Sequence, residues 1–124
     1  MKKLETSKSD FKIFKTETLK WLARYGLNRY DVVITHRKLK GKRAVAECWF
    51  DHLGMVARIS LGKDWSIQAD GITEEEIKLS AEHEVIELLL SKLCSLINLE
   101  RFVREDEIDE ERHAIINAII NSKK

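Results

Sequence analysis

Hydrophobic and polar residues alternate along this chain with two different periods, and the change of period divides it into helical and extended segments. Apolar residues recur every three to four positions over Phe11–Tyr25, a spacing that predicts a first helix. Ser9 or Asp10 can cap its start, and Gly26 stands where a left-handed C-terminal cap would fall. The chain therefore opens on a helix of roughly four turns.

The next three apolar segments have the shorter period of a strand. Asp31–Thr35 is a β-branched run, whereas Ala44–Leu53 and Val56–Leu61 alternate apolar and polar residues. Turn-forming residues, including Gly41 and Gly54, separate them. The pattern predicts a three-stranded antiparallel meander, in which each strand pairs with the next one along the chain.

Helical spacing returns in the last third of the chain. Thr73 with Glu76 has the spacing of a capping box and opens a long helix over Glu74–Ile97. A final helix is predicted over Asp106–Asn121, with acidic residues at its start, where the helix dipole favours them. The order α-β-β-β-α-α indicates an α+β fold.

Length and composition agree with a single packed domain. The chain has a mass of 14.5 kDa and 124 residues, of which 44% are hydrophobic. This share is enough for one core. We expect one domain over residues 1–124, with frayed ends at 1–8 and 121–124. Two cysteines are too few for a disulfide framework. The first residues lack the apolar core of a signal peptide, and no segment is apolar enough to span a bilayer, so a cytoplasmic protein without a membrane partner is expected.

The formal net charge of +1 conceals an uneven distribution. Residues 1–43 contain 13 Lys and Arg against 4 Asp and Glu, whereas residues 74–124 contain 7 against 13. The most basic segment, His36–Arg43, has five Lys or Arg in eight positions and is predicted to form a turn. Lysines at a sheet edge discourage aggregation, and the same charges could contact nucleic-acid phosphates. Both interpretations stay open at this point.

The long helix carries the residues with the clearest chemistry. On a helical wheel its apolar residues form one stripe, which we expect to face the core: Leu79, Ile86, Leu90, Leu93, Cys94 and Ile97. His83 and Glu87 fall on that stripe, four positions apart, and therefore neighbour each other on one face. Glu84 points to the flank of the stripe.

The sequence from His83 to Glu87 reads H-E-x-x-E, which differs from the zinc motif H-E-x-x-H only at its last position. Zinc accepts a Glu oxygen as well as a His nitrogen, so His83 and Glu87 are candidate ligands. A third ligand must come from elsewhere, and His113 in the last helix is the first choice. Glu110 or Glu111 could replace His113 or orient a ligand. Manganese and iron suit the same donors.

The segments Ala81–Leu90 and Glu110–His113 resemble the compact zincin-like proteins, a group that includes SprT-like domains and small metallopeptidase-related proteins of phages and bacteria. The resemblance spans roughly Asp31–Ile120. It implies His83, Glu87 and His113 as metal ligands and Glu84 as the general base. Glu87 departs from the usual His of this group, and the zinc ribbon found in some SprT-like proteins is missing.

These patterns lead to one principal function and two alternatives. The first hypothesis is a zinc-dependent metallopeptidase in which metal-activated water hydrolyses a peptide bond, with Glu84 accepting the proton. The second is a non-catalytic, phage-type interaction or inhibitor protein, in which His83 and Glu87 form only a structural pair. The third is a nucleic-acid-associated protein that uses the basic first third of the chain. The pattern does not predict an oligomeric state.

Overall fold

The computed structural model describes residues 4–39, 45–66, 71–98 and 104–123. It is an α+β fold, as the hydrophobic pattern predicts. Its elements, in chain order, are α1 (Lys8–Arg24), β1 (Asp31–Arg37), β2 (Ala46–Asp51), β3 (Val56–Gly62), α2 (Glu74–Asn98) and α3 (Glu105–Ser122). Within these residues, no helix is both long and apolar enough to cross a membrane.

Helix α1 begins three residues earlier than the sequence predicts, because Ser7 is its cap. The Ser7 Oγ accepts a hydrogen bond from the Asp10 backbone N–H at 3.1 Å, and Asp10 Oδ2 accepts one from the Ser7 N–H at 2.8 Å. This reciprocal capping box satisfies two N–H groups that the helix leaves free. Gly26 has a φ of 69° just after the helix, so the predicted left-handed C-terminal cap is confirmed.

The sheet is mixed, and the predicted antiparallel meander is wrong. The strand order is β1-β3-β2, with β3 parallel to β1 and antiparallel to β2. Strand β3 takes the centre because it combines apolar Ala57, Ile59 and Leu61 on one face with the small, fully buried Ser60 on the other. The more polar β1 and β2 occupy the two edges. The long β1–β2 connection lets the chain cross over, which a two-residue turn would forbid.

The first two residues of the predicted basic turn, and residues 4–6 of the N-terminal segment that we expected to be frayed, are part of the fold. His36 and Arg37 belong to β1, and the ring of His36 stacks on Phe11 of α1. The backbone of residues 4–6 pairs with residues 63–65, and Thr6 Oγ1 lies 2.7 Å from His36 Nε2. Residues 40–43 of the basic tract lie outside the described residues.

One face of the sheet packs against α1 and α2 and forms the core. Its fully buried side chains include Phe14, Ile59, Leu61, Trp65, Ile77 and Val85. On the opposite face, Trp49 of β2 is half exposed, and the Arg58 guanidinium lies 5.7 Å from the centre of its ring. Trp49 therefore lies on the more exposed face of the sheet.

Gly62 allows a close approach of two backbone segments at the end of β3. Its N–H donates to the Val45 carbonyl at 2.8 Å, and a Cβ at this position would meet the same oxygen at 2.8 Å. We predict that Gly62→Ala lowers the free energy of unfolding by about 1–3 kcal/mol, the usual cost of overpacking. Urea denaturation measures this. Gly54→Ala is the control, because the one close contact of its Cβ would be with the movable Asp51 carboxylate. An equal loss of free energy of unfolding in both variants would contradict the prediction.

Candidate functional site

His83 and Glu87 form a pair on the solvent-facing side of α2. The His83 Nε2 lies 3.5 Å from Glu87 Oε1, one helical turn along the same face. The side chains are 68% and 54% exposed, respectively. An imidazole nitrogen and a carboxylate oxygen are both ligand types of zinc, so the pair supplies two donors of suitable chemistry.

Glu84 lies beside this pair but is buried. Only 8% of the residue is accessible, and its Oε2 lies 4.0 Å from His83 Nε2. The pKa of Glu84 is raised to about 7, mainly by burial; His83 lowers it, whereas the charges of Glu87 and Glu47 contribute to the rise. A carboxyl group with a pKa near neutrality can both accept and return a proton, which is what general acid–base catalysis needs.

Strand β2 supplies the other wall around Glu84. Cys48 of β2 is half-buried and faces α2; burial, followed by the negative charges of Glu84 and Glu87, raises the pKa of its thiol to about 12. The thiol therefore stays protonated at neutral pH and is a poor nucleophile. On the other face of the sheet, Glu47 accepts a hydrogen bond from Arg37 at 2.6 Å.

The predicted core-facing stripe of α2 is wrong, because the helix is rotated about its axis. Leu79, Leu90 and Ile97 are exposed, as is Cys94, whereas Ile86 and Leu93 are half-buried. The buried face carries instead Ile77, Ala81, Glu84, Val85, Leu88, Leu89 and Ser91. The pair that we expected in the core is therefore on the surface, and the carboxylate that we expected on the flank is the buried one.

Helix α3 lies on the other side of α2 from the His83–Glu87 pair. Its contact with α2 includes an ion pair in which Lys92 Nζ lies 3.3 Å from Glu111 Oε2. At about 100° per residue, the nine positions between His83 and Lys92 turn the helix through about 180°. Lys92 thus holds the buried Glu111, and the exposed Glu110 lines the cleft between α2 and α3 beside them. His113 is exposed on α3.

The structure does not bring His113 to the His83–Glu87 pair. In the part of the chain that the structure describes, no three His, Cys, Asp or Glu side chains are arranged to hold a metal ion. The pair fits a divalent cation as two donors, and neither His113 nor Glu110 nor Glu111 supplies the third in this arrangement. Zinc binding with these ligands stays a prediction.

Two features next to the site have no clear signal in the sequence. Tyr30, which is buried, places its hydroxyl 3.4 Å from both His52 Nδ1 and Ser91 Oγ. Further along, the end of β2 and Ser95 of α2 line a shallow, mostly apolar cleft. The residues involved are 22 to 61 positions apart, so only the tertiary packing of β2 on α2 reveals them.

Comparison with protein-family models, with curated proteins and with solved structures finds no match to this chain. The function is therefore inferred from the residues and geometry of the site.

The buried Glu84 makes stability depend on pH. Its pKa rises from an ordinary 4.5 to about 7 on folding, so the folded protein binds the proton more tightly than the unfolded chain. Stability is therefore lost as the pH rises from about 4.5 to 7. We predict that Glu84→Gln, which removes the charge, stabilises the fold at pH 8 by on the order of 1 kcal/mol and changes little at pH 4.5.

Urea denaturation at the two pH values measures this difference. Glu75→Gln, at an exposed position in the first turn of the same helix, is the control and should show no such gain. An equal free energy of unfolding for Glu84→Gln and the wild type at pH 8 would contradict the burial of a charged Glu84.

Proposed function

We propose that this protein is a hydrolase of peptide bonds, with Glu84 as the general base and His83 and Glu87 as donors to a divalent metal ion. The observation that supports it best is the position of Glu84. A carboxyl group with a pKa of about 7 lies 4.0 Å from an imidazole that is itself paired with a second carboxylate. Groups with strongly shifted pKa values are candidates for catalytic sites.

The residues of the site have distinct roles in this proposal. Glu84 accepts a proton from the attacking water and returns it to the leaving amine, a task suited to its pKa. Glu87 orients the His83 imidazole through their contact at 3.5 Å. A bound divalent ion would polarise the scissile carbonyl and lower the pKa of water.

Strand β2 would hold the substrate. In the described sheet, β2 pairs only with β3, so its other edge leaves backbone donors and acceptors free beside α2. An extended peptide can add to such an edge as a further strand. The peptide would then run along β2 towards the apolar cleft at Trp49 and Leu53.

Glu84→Gln is expected to lower the rate of hydrolysis about 10²–10⁴-fold, the usual contribution of a general base. A fluorogenic peptide library with added Zn²⁺ measures the rate. In the wild type the rate should rise with pH and level off above about 7, where Glu84 is charged. Glu75→Gln is the control. Full activity of Glu84→Gln, or a rate independent of pH between 5 and 8, would rule out this role.

Titration calorimetry with ZnCl₂ tests the metal donors without depending on activity. We expect His83→Ala and Glu87→Ala each to weaken zinc binding, by about 10-fold or more, since each removes one of few donors. His113→Ala should leave the affinity unchanged, because α3 packs on the opposite side of α2. An equal loss in His113→Ala would show that α3 changes position when metal binds.

A non-catalytic interaction protein is the second candidate. Three large apolar side chains are exposed along one side of α2, namely Leu79, Leu90 and Ile97. Surface apolar patches of this kind commonly mark protein–protein contacts. A zinc-loaded wild type that hydrolyses no peptide would favour this candidate.

A further inference from the structure

The exposed side of α2 carries a regular repeat. Six of its residues follow one another at intervals of four, three, four, three and four positions, and they are Leu79, His83, Ile86, Leu90, Leu93 and Ile97. This spacing of 3.5 residues is that of the seam by which one helix packs against another in a coiled coil. We call these six residues the α2 seam.

The seam is open to solvent in the structure. Leu79, Leu90 and Ile97 are 57%, 36% and 48% exposed, and His83 is exposed between them. Ile86 and Leu93 are half-buried at the side nearest the core. Five of the six seam residues are apolar. The elements that pack on α2 leave three of these five exposed and two half-buried.

We propose that the α2 seam is a dimer interface, in which α2 packs antiparallel against α2 of a second copy of this chain. The seam is self-complementary under a two-fold axis at position 88. Leu79 then faces Ile97 of the second copy, Ile86 faces Leu90, and His83 faces Leu93. Every residue of the seam has a seam partner, which is the requirement of an isologous interface.

Charge selects the antiparallel arrangement. A parallel pair would set Glu82 against Glu87 of the other copy twice, and would bring together two first turns that contain Glu74, Glu75 and Glu76. The antiparallel pair separates those turns, aligns the helix dipoles favourably and leaves one repulsive contact, between the two copies of Glu87. The seam itself contains no acidic side chain.

The size of the seam indicates a reversible dimer. Its nineteen residues, with eighteen rises of about 1.5 Å each, span about 27 Å. A single-helix strip of this length buries less than the roughly 800 Å² per partner typical of stable complexes. The dimer is therefore expected to dissociate on dilution.

The dimer and the proposed hydrolysis share His83 but are tested by different measurements. Glu84 faces β2 and the core, outside the seam, so a monomeric protein could still hydrolyse peptides and a dimeric one could be inactive. The oligomeric state and the rate of hydrolysis report on the two proposals separately.

Sedimentation velocity of the wild type from about 1 µM to 1 mM, a range that brackets association energies of roughly 4–8 kcal/mol, tests the dimer. The mass should increase from 14.5 kDa towards twice that value. Leu90→Glu and Ile97→Ser should each raise the dissociation constant at least tenfold. Glu87→Gln should lower it several-fold, because the one repulsive contact disappears.

Ile119→Glu is the matched control, since Ile119 is a similarly exposed isoleucine on α3, outside the seam. It should associate like the wild type, and circular dichroism should show that all variants are folded. A wild type that stays monomeric at 1 mM, or an Ile119→Glu variant that dissociates as much as Leu90→Glu, would overturn the proposal. A Glu87→Gln variant that associates no better than the wild type would overturn the antiparallel arrangement.

Discussion

The packing of α2 against the sheet and against α1 determines where every candidate functional group of this protein lies. Ala81, Val85 and Leu88 are fully or almost fully buried, and they turn one side of the helix towards the core. Because side chains four positions apart share a face, that orientation also fixes the opposite side. His83 and Glu87 must then face solvent, and Glu84 must enter the core at the contact with β2.

The burial of Glu84 lowers the stability that the packing of α2 provides. A carboxylate in an apolar contact is costly, and His83, whose Nε2 lies 4.0 Å from Glu84 Oε2, offsets that cost only in part. The protein avoids the cost by keeping the group protonated up to about pH 7. A buried carboxyl group that weakens the fold is more easily explained by chemistry than by stability. This is the reason to assign Glu84, rather than the exposed pair, the central role.

Local signals predict the elements of this fold well and their arrangement less well. Capping residues and periodicity place α2 within one residue of its observed ends, since both depend on neighbours in sequence. The strand order depends instead on which strand can be buried on both faces, a property that Ser60 reveals only once its partners are known. The site follows the same division: the contact of His83 with Glu87 is local and predictable, whereas the side of α2 that α3 covers is not.

The rotation of α2 is the instructive error. Leu, Ile and Val occur around most of the helix, so a hydrophobic wheel offers two stripes, and the one with the greater number of large residues is the exposed one. A helix that is apolar on both sides is typical of one with two sets of neighbours. The first set of neighbours is the core of this chain. The 3.5-residue spacing of the second stripe is the spacing by which one helix packs against another.

His83 belongs to both the proposed metal pair and the α2 seam, and this links the two proposals thermodynamically. In the proposed antiparallel dimer His83 faces Leu93 of the second copy, in an apolar contact that excludes water. A metal ion on His83 would place a charge against that contact, which is costly. If zinc weakens association by some factor, association must weaken zinc binding by the same factor, since the two equilibria share one free energy of coupling. The exposed side of α2 therefore favours either a cation with access to water or a second helix.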